Sequence, residues 1–235
     1  MSLPWPREIR AGLCPDRIVL GGAVHPAADP VAELGLRAGT AKFPARVTVV
    51  LSNHLVKYAL LPWSAALKSE RDWVAYARHG FLSTYGDSCA AWRIQVSPEA
   101  RGEARLASAV DGGIIDALRA IPAVASIQPY LMAAFNTLRK AFSAQPAWLV
   151  VQEPGRLTLA LAAGHAWKTV RSRKAHGDWR NVLCDLLERE SAAGKFDCRR
   201  VLVWSEEEAP AELGGYRITD MTPRRAAPRS HAMVH

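Results

Sequence analysis

The carboxylates best placed to do chemistry are Asp111 and Asp220, because each stands at the end of a predicted strand. Acids at strand ends can hold the metal ions that a nuclease or a phosphotransferase uses. The turn Asp111-Gly112-Gly113 also precedes a predicted helix, whose free N–H groups could bind an anion. A lone glycine-rich turn is more often structural, and the sequence contains no GxxxxGKS/T, GxSxG or HExxH motif. We therefore predict no catalytic, cofactor-binding or metal-binding residue, and no cofactor.

The cysteines and histidines do not form a recognisable site. The four cysteines lack a CxxC pair and lack a histidine at metal-ligand spacing: Cys14, Cys89, Cys184 and Cys198. We interpret them as buried or free thiols of a reducing compartment. None of the seven histidines has a nucleophile or carboxylate partner at a sequence spacing typical of a catalytic site: His25, His54, His79, His165, His176, His231 and His235. We expect His79 either to have its hydrogen bonds satisfied within the protein or to face solvent.

Positive charge is in excess, with a net charge of +8 and a sequence pI of about 9.6. Such an excess can attract nucleic acid, an anionic membrane or an acidic protein. One basic cluster comprises Lys168, Arg171, Arg173, Lys174 and Arg180. The other lies in residues 222–235, with Arg224, Arg225 and Arg229 among Pro and Ala. We interpret the first as a solvated strand end and the second as a disordered basic tail, and nucleic-acid binding remains an alternative.

The composition is that of a globular protein, with 235 residues of which 49% are hydrophobic and 22% charged. No uncharged apolar run reaches the roughly 18–20 residues that a membrane span needs. The segment Met1–Arg10 contains Pro4 and Pro6 and the charged residues Arg7 and Glu8, unlike the apolar core of a signal peptide. We expect a soluble, cytoplasmic protein.

The first half of the chain contains a well-marked helix. Its predicted range is Lys68–Thr84, with Ser69 as the N-cap. Upstream, the apolar runs Val47–Ser52 and Leu55–Leu61 flank Asn53-His54, which predicts a tight hairpin. The first 45 residues contain one strand candidate, Arg17–Leu20. Downstream we predict two strands, a helix, a strand and a helix, over Ala91–Val96, Arg105–Val110, Ile114–Ala120, Ala125–Gln128 and Tyr130–Phe142.

The pattern restarts after Ser143–Pro146. The predicted order is three strands, a helix, a strand, a helical turn and a strand, over Trp148–Gln152, Leu157–Ala162, Trp167–Arg173, Asp178–Ser191, Val201–Trp204, Ala209–Leu213 and Tyr216–Asp220. This order differs from the strict alternation of a Rossmann fold. We predict an α/β protein of two tandem RNase H-like lobes of reduced size, with mixed sheets, as in actin and Hsp70. Residues 1–143 would form the first lobe, with an irregular N-terminal segment, and residues 147–221 the smaller second lobe.

Two further groups of side chains are explained by packing and solvation. Six tryptophans lie mostly at strand ends or on helix faces, which favours core positions: Trp63, Trp73, Trp92, Trp148, Trp167 and Trp204. The acids Asp185, Glu188 and Glu190 lie with Arg189 on a helix whose other side is rich in leucine. We interpret these acids as a solvated face, in preference to paired-carboxylate catalysis.

The stretch Val47–Val110 resembles the first cytoplasmic lobe of the type II secretion L protein (GspL) and of the pilus-assembly M protein (PilM). In that family an apolar strand meets a turn, a second strand ends in Leu-Pro, and a helix and two further strands follow. The matching pieces are Val47–Ser52, Leu55–Pro62, Lys68–Thr84, Ala91–Val96 and Ala104–Asp111. The second lobe, Ala147–Asp220, matches by its order of elements. The resemblance implies a cytoplasmic scaffold that holds an assembly ATPase or an inner-membrane partner.

The motifs by which actin-like ATPases hold nucleotide are missing. Those proteins use an Asp-x-Gly turn in each lobe and a Gly-Gly after a late strand. Here the first strand candidate runs into Gly21-Gly22 without an acid, and Pro154 removes an N–H from the turn Gln152–Arg156. Acids follow the late strand, at Glu206–Glu208, and would repel a triphosphate. We therefore predict no ATP hydrolysis.

The function expected from these observations is a degenerate actin-like scaffold of a type IV pilus or type II secretion assembly. Its partner would be a protein, either an inner-membrane component or the assembly ATPase, and it would lie in the cytoplasm, at the inner membrane through that partner. A phosphotransferase or nuclease of the RNase H-like superfamily remains an alternative, as does a basic nucleic-acid-binding protein.

Overall fold

The structure is a computed structural model that describes residues 7–39, 45–163, 166–194 and 196–222. Within these ranges the chain forms three β-sheets and five α-helices. The strands are β1 (Arg7–Leu13), β2 (Arg17–Leu20), β3 (Ala23–Pro26), β4 (Ala45–Leu51), β5 (Val56–Leu61), β6 (Trp92–Val96), β7 (Arg105–Asp111), β8 (Val124–Pro129), β9 (Ala147–Glu153), β10 (Arg156–Ala163), β11 (Ala166–Lys174), β12 (Arg200–Ser205), β13 (Glu212–Leu213) and β14 (Tyr216–Asp220). The helices are α1 (Pro30–Gly39), α2 (Glu70–Tyr85), α3 (Gly112–Arg119), α4 (Tyr130–Ala144) and α5 (Trp179–Gly194).

The first sheet has the strand order β3-β2-β1-β4-β8. Strands β1, β2 and β3 are antiparallel neighbours, whereas β4 and β8 run parallel to β1. Strand β4 is apolar along its length because both of its faces are covered. Val47, Val49 and Leu51 pack with α1 and α3, while Val50 faces the opposite side of the sheet.

A smaller unit is inserted between β4 and α3. Its three strands pair antiparallel in the order β5-β7-β6, and α2 packs on the sheet they form. The helix buries Trp73, Ala77 and Phe81, which are spaced one helical turn apart and so lie on one face. Strand β5 also packs along β11, so the inserted unit contacts the sheet formed by the second half of the chain.

The second sheet repeats the strand order of the first. Strands β9, β10 and β11 are antiparallel neighbours, and β12 and β14 are parallel to β9, giving the order β11-β10-β9-β12-β14 with β13 added at the edge. Every residue of β9 is buried, because α5 covers one face of the sheet and α4 the other. The two halves therefore share one topology, built around a central parallel pair of strands.

Helix α4 joins the two sheets into one hydrophobic core. Its residues Phe135 and Phe142 pack with Trp167 and Trp204 of the second sheet, while the same cluster includes Val50 of the first sheet. The rings of Phe135 and Trp167 have centroids 4.4 Å apart. Because this core takes side chains from both sheets, its burial energy holds the two halves against each other.

The structure corrects three predictions about local elements. Asn53-His54 is not a hairpin turn, because β4 and β5 belong to different sheets. The segment Ala209–Leu213 contains the edge strand β13 where a helical turn was predicted. Three elements in the first 45 residues were missed: β1, β3 and α1. The apolar pattern of β1 is interrupted by three charged residues, and the glycine at the centre of α1 lowers its helix propensity.

The remaining predicted elements are confirmed, with helix α2 and its N-cap Ser69 among them. The domain limits, 1–143 and 147–221, remain a prediction. The proposed disordered tail, apart from Thr222, lies outside the described residues, as does His165.

Replacing Ser69 with Ala is expected to destabilise the protein. The Ser69 hydroxyl accepts a hydrogen bond from the backbone N–H of Asp72, and the Asp72 carboxylate accepts one from the backbone N–H of Ser69. We expect Ser69→Ala to lower the free energy of unfolding, measured with urea, by about 1 kcal/mol. The control is Ser83→Ala, because Ser83 bonds only within the same helix, to the carbonyl of Gly80. Equal losses in the two variants would contradict the capping role.

Candidate functional site

Two hairpin turns from the two sheets face each other across a small cleft. One turn joins β1 to β2, and the other joins β9 to β10. Between them lies a cavity of about 290 Å³, to which the connection after β4 also contributes. Its lining residues are Cys14, Pro15, Asp16, Arg17, Ser52, His54, Glu153 and Pro154. The resemblance implies phosphate-binding loops at turns in these positions, so the cleft is the candidate functional site. The first turn is thus the β1–β2 turn, which contains Asp16, and not Gly21-Gly22 between β2 and β3, where it was predicted from the sequence.

A carboxylate of the protein itself spans the cleft. Glu153, at the end of β9, is 3% exposed. The hydroxyl of Ser52 donates to its Oε1 at 2.5 Å, and the backbone N–H of Asn53 donates to its Oε2 at 2.9 Å. A hydroxyl and a backbone N–H are the donors that would serve a phosphate oxygen. Glu153 therefore takes up donors that a bound anion would need.

Further hydrogen bonds strengthen this link between the sheets. The Nε2 of His54 lies 3.0 Å from the carbonyl oxygen of Pro154, and therefore carries the proton that the carbonyl accepts. The side-chain oxygen of Asn53 accepts from the Tyr58 hydroxyl at 2.6 Å and from the backbone N–H of Leu131, at the start of α4, at 3.4 Å. The connection after β4 thus forms hydrogen bonds with both the second sheet and helix α4.

Burial raises the pKa of Glu153 to about 7, although the hydrogen bonds from Ser52 and Asn53 act to lower it. The neighbouring charge of Glu206 raises it further. Burial, together with the positive charge of Arg156, lowers the pKa of His54, so its ring is favoured in the neutral form. At neutral pH the cleft thus contains a neutral His54 ring and a Glu153 carboxyl group close to its pKa, together with the ion pair of Asp16 and Arg17.

The cleft thiol is not a nucleophile. Cys14 is buried, and burial raises its pKa to about 12, so it remains protonated at neutral pH. Cys184 also has a raised pKa, because of burial and the nearby acid Glu188. All four cysteines are free, which confirms their interpretation as buried or free thiols.

The acidic run after β12 is fixed by contacts with the second sheet and α5. Glu207 accepts hydrogen bonds from the side-chain amide of Gln152 at 3.3 Å and from the indole of Trp179 at 3.1 Å. Its backbone N–H donates to the Ser205 hydroxyl at 2.9 Å. These bonds hold a carboxylate where actin-like ATPases have the glycines that approach adenosine.

The acids Asp111 and Asp220 do not form a pair. Asp111 ends β7 in the inserted sheet, whereas Asp220 ends β14 in the second sheet. Asp111 caps α3 by accepting from the backbone N–H of Gly113 at 2.8 Å. A Cβ at Gly112 would overlap the carbonyl oxygen of Ala91, so this glycine is required by packing. Among the described residues, no group of three or more His, Cys, Asp or Glu side chains is placed to hold a metal ion.

The predicted basic cluster is divided among separate ion pairs. Lys168 pairs with Glu103 at 3.4 Å, and Arg171 with Glu190 at 2.8 Å. Arg180 pairs with Asp178 and also approaches Glu207. Glu190, which was predicted to face solvent, therefore ties α5 to β11, whereas Asp185 and Glu188 are exposed as predicted.

Most of the tryptophans occupy the predicted core positions. Trp148, Trp167 and Trp204 are among the largest fully buried side chains, and Trp73 is also buried. Trp92 is half-buried against the cluster that includes Trp73 and Phe81, and Trp63 is exposed, at 39%. None of the helices in the described ranges has both the length and the apolar composition needed to cross a membrane.

Comparison with solved structures gives the fold. A Bacteroides thetaiotaomicron protein of unknown function, described as having an actin-like ATPase fold, matches with a TM-score of 0.58 and 7% identity over 86% of this chain and 82% of that one. The chain has an actin-like fold. The cytoplasmic domain of EpsL, an inner-membrane component of the Vibrio cholerae type II secretion system, matches with a TM-score of 0.56 and 11% identity, over 96% of this chain and 92% of that one. A chain of the PilM-PilN type IV pilus biogenesis complex matches with a TM-score of 0.57 and 13% identity, over 86% of this chain and 82% of that one.

These likenesses confirm the predicted fold class and the resemblance to GspL and PilM, although at such low identities they establish the fold alone. No protein-family model and no curated protein matches the sequence. The structure adds a feature that the sequence did not reveal, which is the hydrogen-bonded closure of the actin-like cleft by Glu153.

The closure by Glu153 predicts a particular dependence of stability on pH. The folded protein keeps a proton on Glu153 up to about pH 7, whereas the unfolded chain releases it near the ordinary value of 4.5. The stabilisation is therefore fully present below pH 4.5 and is lost as pH rises through 7. Relative to Glu153→Gln, the wild-type free energy of unfolding should fall by about 3 kcal/mol across this range.

The comparison with Glu153→Gln is needed because His54 acts in the opposite direction: its lowered pKa makes the folded protein more stable as pH rises. Urea denaturation at several pH values would measure the difference. Glu103→Gln is the control, because Glu103 is a partly exposed acid in a surface ion pair, and it should retain the wild-type slope. If the free energy of unfolding changes with pH in the same way in the wild type and in Glu153→Gln, the raised pKa assigned to Glu153 is refuted.

Proposed function

We propose that this chain is a non-hydrolysing actin-like scaffold that binds a protein partner in a type IV pilus or type II secretion assembly. The observation that carries the proposal is the pair of hydrogen bonds from Ser52 and Asn53 to the buried carboxylate of Glu153. Because this carboxylate takes up the hydroxyl and N–H donors of the cleft, the actin-like frame is retained while donors that a bound phosphate would need are used by the protein itself.

Three further features support the absence of hydrolysis. Pro154 supplies no N–H to the second turn. The charge of Glu206 acts to raise the pKa of Glu153 and adds negative potential beside the cleft. Asp111 and Asp220, the two acids best placed by sequence, end strands of different sheets. An ATPase would need the opposite arrangement, with N–H donors and a metal-binding acid at the phosphates.

A protein partner is supported by the solved structures that share the fold. EpsL is described as an inner-membrane component of a secretion system, and PilM was solved in a complex with PilN. We propose that this chain likewise acts beside the inner membrane, where it is held by a partner. The pocket beside Trp63 suits partner recognition, because a partly exposed tryptophan in a concave surface is a common binding hot spot.

Mg²⁺-ATP is expected neither to stabilise the protein nor to be hydrolysed. A ligand at 100 times its Kd stabilises the folded state by about 2.7 kcal/mol, which thermal melting would detect as a rise in Tm. We expect unchanged Tm at millimolar Mg²⁺-ATP and no phosphate release above buffer. Glu153→Ala, which removes the carboxylate from the cleft, is the companion variant. Hydrolysis or a raised Tm in the wild-type protein would overturn the non-hydrolysing assignment.

The partner can be sought by co-expression with the cytoplasmic tails of inner-membrane pilus and secretion proteins from the same organism. We expect one tail to co-purify with the chain, and Trp63→Ala to weaken that complex at least tenfold, equivalent to about 1.4 kcal/mol. The control is Leu82→Ala, which removes an exposed apolar side chain of α2 outside the Trp63 pocket. Failure of every tail to co-purify would count against the scaffold; equal binding by both variants would exclude the Trp63 surface.

A further inference from the structure

Three cations converge where the inserted unit meets the second sheet. Arg156 opens β10 and is the direct cross-strand partner of Lys174, the last residue of β11. Lys57 lies at the start of β5, the strand that packs along β11. The positive charges of Arg156 and Lys174 both act to lower the pKa of Lys57, after the larger effect of burial. We call Lys57, Arg156 and Lys174 the cation triad.

Like charges directly opposite each other on neighbouring strands are destabilising. Within the described ranges, no triad member takes part in an ion pair, although Lys168, Arg171 and Arg180 nearby all do. The acid opposite Arg156 on β9 is Glu153, whose carboxyl group is instead bonded to Ser52 and Asn53.

The central member of the triad is held in position. A guanidinium N–H of Arg156 donates to the Ser172 hydroxyl at 3.2 Å, and Ser172 lies 3.1 Å from the hydroxyl of Thr158. The Nε of Arg156 is buried, and no described group accepts its hydrogen. The guanidinium group is therefore held by the burial of its Nε and by the Ser172 hydroxyl, and its charge lies beside the two facing lysines.

We propose that the cation triad binds an acidic segment of a partner polypeptide. Aspartate and glutamate carboxylates complement three positive charges spread over three strands, and Arg156 can bind a carboxylate through two N–H groups. A phosphate would instead be expected in a nest of backbone N–H groups, and Pro154 interrupts the adjacent turn. Nucleic acid would need a longer basic surface, which the ion pairs of Lys168, Arg171 and Arg180 remove.

This inference rests on the proposed function only in requiring a protein partner, and a defined probe tests it directly. The probe is a fluorescein-labelled peptide of alternating Glu and Asp, compared with its Gln and Asn counterpart, with the full chain titrated at low salt. We expect binding of the acidic peptide alone. Lys57→Gln and Lys174→Gln should each weaken it at least fivefold, while the Tm of Lys174→Gln is retained or raised because the repulsion is relieved.

Arg173→Gln is the matched control. It removes the same charge from the adjacent residue of β11, whose side chain lies on the opposite face of the sheet, and it should change the affinity less than twofold. If Arg173→Gln and Lys174→Gln weaken peptide binding equally, the peptide is attracted to the net charge of the protein. That result would overturn the assignment of the cation triad as a binding site. Absence of peptide binding, or tighter binding of pyrophosphate than of the peptide, would overturn it too. If the tail of a membrane protein still co-purifies in those cases, the proposed scaffold function is retained and only the assignment of the cation triad as a binding site is wrong.

Discussion

The closed state of the cleft depends on a buried carboxylate. Removing Glu153 from water costs free energy, which the two hydrogen bonds from Ser52 and Asn53 offset in part, and which protonation reduces further. These donors belong to the first half of the chain and the acceptor to the second, about 100 residues away. The geometry of the cleft and the position of the connection after β4 both follow from this one contact.

In the scaffold function that we propose, the same contact would let an actin-like frame serve without nucleotide. In an ATPase of this architecture, bound phosphates would bridge the two turns and hold the lobes together. Here a side chain makes the bridge, and helix α4 adds a shared hydrophobic core behind it. The lobes are thereby fixed in relation to each other. A fixed frame suits a protein whose surfaces, such as the Trp63 pocket and the cation triad, must present partners with a constant geometry.

Regular elements were predictable from sequence, and long-range contacts were not. Helix α2 was recognisable because its capping residues and apolar spacing agree, strands β9, β10 and β12 because they are largely apolar runs, and β11 because its residues alternate. Strand β1 was missed because tertiary pairing with β4, rather than its own pattern, makes it a strand. Glu153 was visible as an acid directly after a buried strand, but its donors could not be identified, since they follow another strand far away in the chain. The basic cluster likewise looked continuous until folding brought Glu103 and Glu190 to it.

Helix α4 has a consequence for biosynthesis. The ribosome completes the first sheet and α4 before β9 to β12 exist, and those strands supply the Trp167 and Trp204 side chains on which Phe135 and Phe142 pack. Until they emerge, the nascent chain carries a helix with one apolar face exposed to water, a condition that favours aggregation and chaperone binding. The first half therefore reaches its final packing only once most of the second half has been translated, so the two halves mature as one unit despite their repeated topology.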